Sequence, residues 1–182
     1  TMDNYKIAWQ QTDYVRTFLN TLFITIAGVM GVILFSAMAS YKLARTKTNL
    51  SWFIYMFFIC AMLIPFHAVM LPLAKVSAWF SLRGSIVGII PIYWGLGVPF
   101  AIFLYHGFVK GVPKDIEEAG QIDGCGPFRN FFLVIFPLLK PITGTVLVLD
   151  VMWLWNDFNI SVILLQKEAV RTITIKQFYF FG

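Results

Sequence analysis

Residues 17–39 read TFLNTLFITIAGVMGVILFSAMA, and no charged side chain interrupts them. A helix needs about 20 predominantly apolar residues to cross the hydrocarbon core of a bilayer. A core helix of a soluble protein would carry a polar stripe, which this segment lacks. Working outward, three further stretches reach the same length. Residues 52–74 are uncharged but hold His67 between Pro65 and Pro72. Residues 86–106 are interrupted by Pro91, Gly95, Gly97 and Pro99, and residues 142–165 contain Asp150, Asn156 and Asp157. The sequence predicts an all-α, polytopic membrane protein with four spans. A fifth apolar piece, residues 131–139, is too short to span, and Pro137 and Pro141 bend the chain beyond it. It reads as an interfacial helix turning into the fourth span.

Composition agrees. Hydrophobic residues make up 59% of the 182 and charged ones only 13%, with mean hydropathy +0.76, whereas soluble domains carry about 25% charge. The net charge of +5 fits bilayer flanks. No basic run interleaved with aromatics suggests nucleic acid. Cys60 lies in an apolar segment and Cys125 in a polar loop, so neither a disulfide nor a metal-binding spacing is expected. The opening TMDNYKIAWQQTDY is polar and aromatic, without the look of a signal peptide, and reads like the middle of a protein. No cluster of nucleophile, base or metal ligands marks an enzyme.

Lys and Arg in short loops normally orient such a chain. Here they cancel. One side holds Lys42, Arg45, Lys47, Lys110, Lys114, Arg129 and Lys140; the other holds Lys6, Arg16, Lys75, Arg83, Lys167, Arg171 and Lys176. Only the density of the first loop favours the cytoplasm.

Between the third and fourth spans the chain turns polar: EEAGQIDGCGPF, residues 117–128. Pro113 suits the first position of a helix. Asp115, Glu117 and Glu118 fill its first turns, where carboxylates favour the positive end of the dipole. Gly124 reads as a stop and Pro127 as a second start. Ile116, Ala119 and Gly120 form a small face. A solvated connecting loop and a docking element both fit these signals.

The longer stretch EEAGQIDGCGPFRNFFLVIFPLLKP closely resembles the EAA loop of ABC-importer permease subunits. That pattern runs Glu-Ala-Ala, three residues, Gly, nine residues, Ile, one residue, Leu-Pro. The matching positions are Glu118-Ala119-Gly120, Gly124, Val134, Phe136 and Pro137. Gly120 replaces alanine, which should soften the helix by up to ~1 kcal/mol; Val134 and Phe136 are conservative departures. NYKIAW, FLNTLFIT, ASYKLAR, MLIPFHAVMLPL, GVPFAIFLYHGFVKGVP and WNDFNISVILL with RTITI extend the resemblance over essentially the whole chain. They look like carbohydrate-importer permeases of the maltose and multiple-sugar type.

That resemblance implies the type I ABC-importer permease fold, with four of its six spans present and the first and last missing. Residues 1–16 would be an extracellular or periplasmic lead-in. Residues 17–165 would form the transmembrane permease domain, with a cytoplasmic coupling loop at 113–137. Residues 166–182 would be an outer loop leading to the missing last span. The implied setting is the bacterial plasma (inner) membrane. The implied partners are a second permease, a cytoplasmic ABC ATPase dimer and an extracellular sugar-binding protein, with no nucleic acid. No Walker A pattern occurs, so ATP would be bound by the partner subunits, leaving this chain without a cofactor or a catalytic or metal site. Glu117, Glu118, Ala119, Gly120, Asp123, Gly124 and Pro137 would couple to the ATPase. Within that set, Glu118 would pair with a basic ATPase residue, Gly124 would turn the chain and Pro137 would make the elbow into the span.

The intramembrane polar residues leave alternatives open. A carboxylate at the bilayer centre costs about 2.5–3.5 kcal/mol on insertion scales, so it faces a cavity or a partner. Asp150 either lines the pathway or pairs with the partner permease. Trp153, Asn156 and Asp157 combine rings with hydrogen-bonding groups, as sugar sites do, and equally resemble an interfacial aromatic belt. His67 suits a helix break, and His106 a span end. The rival class is a secondary transporter or channel working without an ATPase, which would also explain broken helices and Asp150 but not the EAA spacing.

Overall fold

The computed structural model describes residues 2–181, and the described residues form helices and turns without a strand. The order is α1 (Met2–Gln11), α2 (Tyr14–Arg45), α3 (Asn49–Met62), α4 (Phe66–Trp79), α5 (Ile86–Gly111) and α6 (Lys114–Ile122). Then come α7 (Pro127–Asn130), a π-helical turn (Phe131–Ile135), α8 (Phe136–Leu138), α9 (Lys140–Trp155), α10 (Asn159–Leu164), a 3₁₀ turn (Glu168–Val170) and α11 (Ile173–Phe181).

Two helices, α2 and α5, are each long and apolar enough to cross a membrane, and the number rises to 4 if two broken pairs each count as one span. Their 32 and 26 residues exceed the expected 17–39 and 86–106. At 1.5 Å per residue α2 is about 48 Å long, so Arg16, Lys42 and Arg45 fall at its ends, clear of the hydrocarbon.

The expected span at 52–74 is broken into two helices that reach the length and apolarity of a span only together. Helix α3 stops at Met62, and α4 starts only after Pro65. A proline disfavours helical φ/ψ in the residue before it and brings no N–H of its own. The chain closes α3 with tight bonds from Leu63 N to Cys60 O and Ile64 N to Ala61 O, 3.2 and 3.3 Å. Thr48 caps the other end by accepting from Ser51 N.

The expected span at 142–165 is also shorter. Helix α9 ends at Trp155, and the chain resumes helix at Asn159. The interfacial helix at 131–139 is irregular: Pro137 cannot donate to a carbonyl four residues back, and the turn before it loosens to π, with Phe136 N reaching Phe131 O. The piece from Pro127 to Leu138 meets α9 at 78°.

The chain divides into two compact units. The first comprises Thr1–Met30, Pro65–Trp94 and Val151–Gly182. Its core is Ile24, Ile89, Tyr93, Leu154, Leu164 and Ile175, and α10 packs on α4. Polar residues of α2 fasten the segment that follows α10. Asn20 Nδ2 donates to Ala169 O and Arg171 O at 3.1 and 3.0 Å, and Thr21 Oγ1 accepts from Ile173 N at 3.0 Å. Gly28 lets Leu154 approach, since a Cβ there would overlap its Cδ2.

The second unit comprises Gly31–Ile64 and Gly95–Asp150. Val32, Ile102, Tyr105, Ile135 and Leu139 form its core. Ser36, Ala37 and Ser40 bring α2 close to α5, and Ser40 Oγ donates to Ile102 O at 3.1 Å. Small residues and hydroxyl bonds of this kind hold helices together where lipid removes the hydrophobic drive. Large apolar side chains such as Phe23, Met30, Phe53, Phe57 and Met152 are left exposed, as lipid-facing surface requires.

Candidate functional site

Helix α6 is bounded as its sequence dictates. Pro113 precedes it in extended conformation, Asp115 and Glu117 occupy the first turn, and Asp123 closes it. Gly124 then adopts φ +82°. Its N–H bonds Gln121 O and the next N–H, of Cys125, bonds Gly120 O, both at 3.0 Å. This pair of bonds is the Schellman closure, which needs a left-handed residue at that position.

The helix is held from one side. The Glu117 carboxylate accepts from the Tyr41 hydroxyl and from Arg45 Nε, the latter at 2.8 Å. Arg45 Nη2 also donates to Val112 O at 2.9 Å. The Arg45 and Glu117 side chains are 12% and 14% exposed, so this is a largely dehydrated ion pair. From α7, Asn130 Nδ2 donates to Glu117 O at 2.9 Å. Gly120 is buried against Asn130, whose Oδ1 is buried and unbonded among the described residues.

Glu118, Ala119, Asp123 and Gly124 face outward, as does Pro137 beyond the π turn. Of the seven residues assigned to coupling, Glu117 and Gly120 are thus engaged inside the chain and the other five are exposed. Ile116, at 39% exposure, lies out with Ala119, whereas Gly120 turns in.

The polar residues of the last predicted span take separate environments. Asp150 belongs to the second unit and is 4% exposed, and its Oδ2 has no hydrogen-bond partner among the described residues. Trp153, Asn156 and Asp157 belong to the first unit. Asp157 Oδ2 accepts from the Tyr93 hydroxyl at 2.8 Å and from Ser161 N at 2.9 Å, so its carboxylate caps α10 and anchors α5. Its carbonyl takes the Thr174 hydroxyl at 2.8 Å. Trp153 stands edge-on to Tyr93 at 5.8 Å and remains partly exposed. Asn156 is exposed but donates to Met152 O of its own helix at 2.7 Å. His67 is exposed. His106 is buried within α5 and stacks on Tyr55 at 3.8 Å.

Outside the spans, the Lys176 ammonium bonds Glu168 and holds its carboxyl below the usual glutamate range.

Sequence reasoning missed Tyr41, Arg45, Asn130 and Tyr93. Tyr41 and Arg45 are four residues apart, which puts them on one face of a helix, a signal that a face was prepared. Nothing local says that the face is for Glu117.

Over residues 31–181 the chain matches the family described as "Binding-protein-dependent transport system inner membrane component". The probable starch degradation products transport system permease protein AmyC of Thermoanaerobacterium thermosulfurigenes is 42% identical over 100% of this chain and 66% of its own length. The melibiose/raffinose/stachyose import permease protein MelC of Bacillus subtilis is 34% identical over 98% of this chain and 65% of its own. The chain therefore spans just under two thirds of these relatives. A crystal structure of a bacterial ABC transporter involved in the import of the acidic polysaccharide alginate superposes with TM-score 0.81, covering 94% of this chain and 60% of that one at 22% identity. The two share a fold.

Proposed function

We propose, from the premise that the chain belongs to the family of binding-protein-dependent transport system inner membrane components, that it is a pathway-forming permease subunit of an ATP-driven importer of oligosaccharides. It sits in the bacterial plasma membrane as a multi-pass protein beside a second permease. A cytoplasmic ATPase pair seats the outward face of α6, and an extracellular binding protein delivers the sugar. ATP binds to the ATPases, and the chain itself performs no chemistry on its substrate.

The observation that carries this reading is the split of α6 into a held face and a free one. Glu118, Ala119 and Asp123 project outward on a helix closed by the left-handed Gly124. Glu118 is the residue for a basic partner on the ATPase. The sugar class rests on the relatives' names, which concern starch degradation products and melibiose, raffinose and stachyose. Asp150, buried with an unbonded oxygen, is the candidate to face the pathway or the second permease.

The full-length permease, co-expressed with its second permease and ATPase in inverted membrane vesicles, tests the scheme. ATPase should remain on the membranes with the unmutated chain and be lost with Glu118→Lys. In right-side-out vesicles supplied with the binding protein, uptake of maltotriose, melibiose or raffinose should require ATP loaded inside. Uptake that persists without the ATPase, driven by a proton or sodium gradient, would make the protein a secondary transporter, the class that the buried Asp150 also suits.

A further inference from the structure

We propose that Glu117 is not a contact for the ATPase but the internal tie through which movement of α6 reaches α2, with Arg45 and Tyr41 as the other end of that tie. This rests on the docking role proposed for α6 and deepens it.

Three observations converge. First, both Glu117 carboxylate oxygens are engaged inside the chain, one by Tyr41 and the other by Arg45 Nε at 2.8 Å. An ATPase residue could take Glu117 only by displacing them. Second, Arg45 grips twice, holding Val112 O just ahead of α6 as well as the carboxylate within it. A two-point grip by a planar guanidinium fixes orientation as well as distance. A push on α6 is therefore delivered to the last turn of α2 as a rotation or a translation, not lost in a slack loop. Third, the grip is dry, with the paired side chains 12% and 14% exposed. Solvent screens such a pair far less than a surface one.

The neighbouring residues show the contrast. Glu118 is exposed, and Asn130 secures the backbone at Glu117 from the other arm of the loop. Two consecutive glutamates thus have opposite jobs: Glu117 faces the helix that must move, and Glu118 faces the machine that moves it. Glu117 is a positioning residue, acting through α2 and touching neither ATP nor sugar.

The test uses the complete reconstituted importer, with whichever of maltotriose, melibiose or raffinose the unmutated assembly takes up. Glu117→Gln keeps the shape but removes the charge and turns one of the two accepting oxygens into a donor. It should leave ATPase capture within about twofold of unmutated. ATP hydrolysis should continue while sugar taken up per ATP falls by about tenfold. The reversed pair, Arg45→Glu with Glu117→Arg, restores the ion pair but not the bonds to Val112 O and from Tyr41, so it should recover part of that ratio, whereas either change alone should recover none. Recovery separates a transmitting pair from mere loss of folding, because a misfolded subunit would lower capture, hydrolysis and uptake together.

Three results would overturn the proposal: an unchanged ratio in Glu117→Gln, no recovery in the reversed pair, or loss of ATPase capture comparable to Glu118→Lys. The last would put Glu117 in the ATPase interface. If the unmutated assembly itself retains no ATPase, the parent reading fails, and this one with it.

Discussion

Replacing Gly120 by alanine sets two predictable effects against each other. By helix propensity alone the change should help, since alanine is favoured over glycine in a helix interior by about 0.8–1.0 kcal/mol. The structure reverses the sign. A Cβ on Gly120 would overlap Asn130 Oδ1 and stand 3.2 Å from Asn130 Cγ and 3.3 Å from Val134 Cγ2. Asn130 must rotate, giving up its bond to Glu117 O, and a hydrogen bond contributes about 1 kcal/mol net. Overpacking a filled site costs a further 1–3 kcal/mol or so. The balance is a loss of about 1–3 kcal/mol, and each kcal/mol moves the midpoint of a domain this size by roughly 2–4 °C. Purified full-length permease in detergent, heated in steps and passed over a sizing column, should lose its monodisperse peak several degrees earlier. The double variant Gly120→Ala/Asn130→Ala should run above Asn130→Ala alone, because the overlap is gone and the propensity gain remains. An unmutated-like or higher midpoint for Gly120→Ala by itself would mean that Asn130 does not lie under α6.

Tyr93→Phe removes the donor to Asp157 Oδ2 and the partner of Ser161 Oγ. It should cost about 1–3 kcal/mol in the same heating assay, and an unchanged midpoint would refute the anchoring role. Gly124→Val meets no neighbour within 4 Å, so its whole penalty is the φ of +82°, about 1–2 kcal/mol for a β-branched residue. Its loss should appear as increased proteolysis of the 113–126 loop, with the spans still inserted. Glu168, with its carboxyl lowered by Lys176, contributes stability that is present above the ordinary glutamate range and lost as pH falls through its depressed value. The midpoint gap between the unmutated protein and Lys176→Met should therefore be full at neutral pH, close on acidification and shrink in high salt. A gap that widens in acid would refute the pairing.

What sequence could deliver was whatever a short window carries. The apolar runs of α2 and α5 announce themselves, and so do the stop at Gly124 and the start after Pro113. Composition also says that 52–74 and 142–165 are membranous. His67 between two prolines suggested a break in the first, but hydropathy neither placed it at Pro65 nor announced one at Asn156-Asp157, because apolar residues resume on the far side of each. The signals were there in part: an X-Pro step at Ile64-Pro65, and an aspartate followed three and four residues on by the backbone N–H groups it caps. The Glu117–Arg45 pair is a different case. Its members stand 72 residues apart; Arg45 was legible only as a contribution to a loop count, and Glu117 only as a first-turn carboxylate in the coupling set. Likewise, Gly120 looked like a weakness in a helix until the side chain occupying its missing Cβ was known. Asp157, among tryptophans, suited a sugar site and an interfacial belt equally; that its oxygens serve Tyr93 and α10 depends on partners 64 and 4 residues away.

The π turn at Phe131–Ile135 has an effect on phase. A turn of this type holds one residue more than an α turn, so the segment between Asn130 and Pro137 carries a surplus residue that a regular helix would not need. Deleting any one of the five would let the segment wind as α. Everything on its N-terminal side would then rotate by about 100° against α9, carrying the Asn130 amide off the Glu117 carbonyl and out from beneath Gly120. The number of residues between Gly124 and Pro137 is thus a mechanical dimension, like the throw of a crank. Many side chains along that interval can be exchanged for others of similar bulk, but a single-residue gap in it cannot be accommodated without unseating α6.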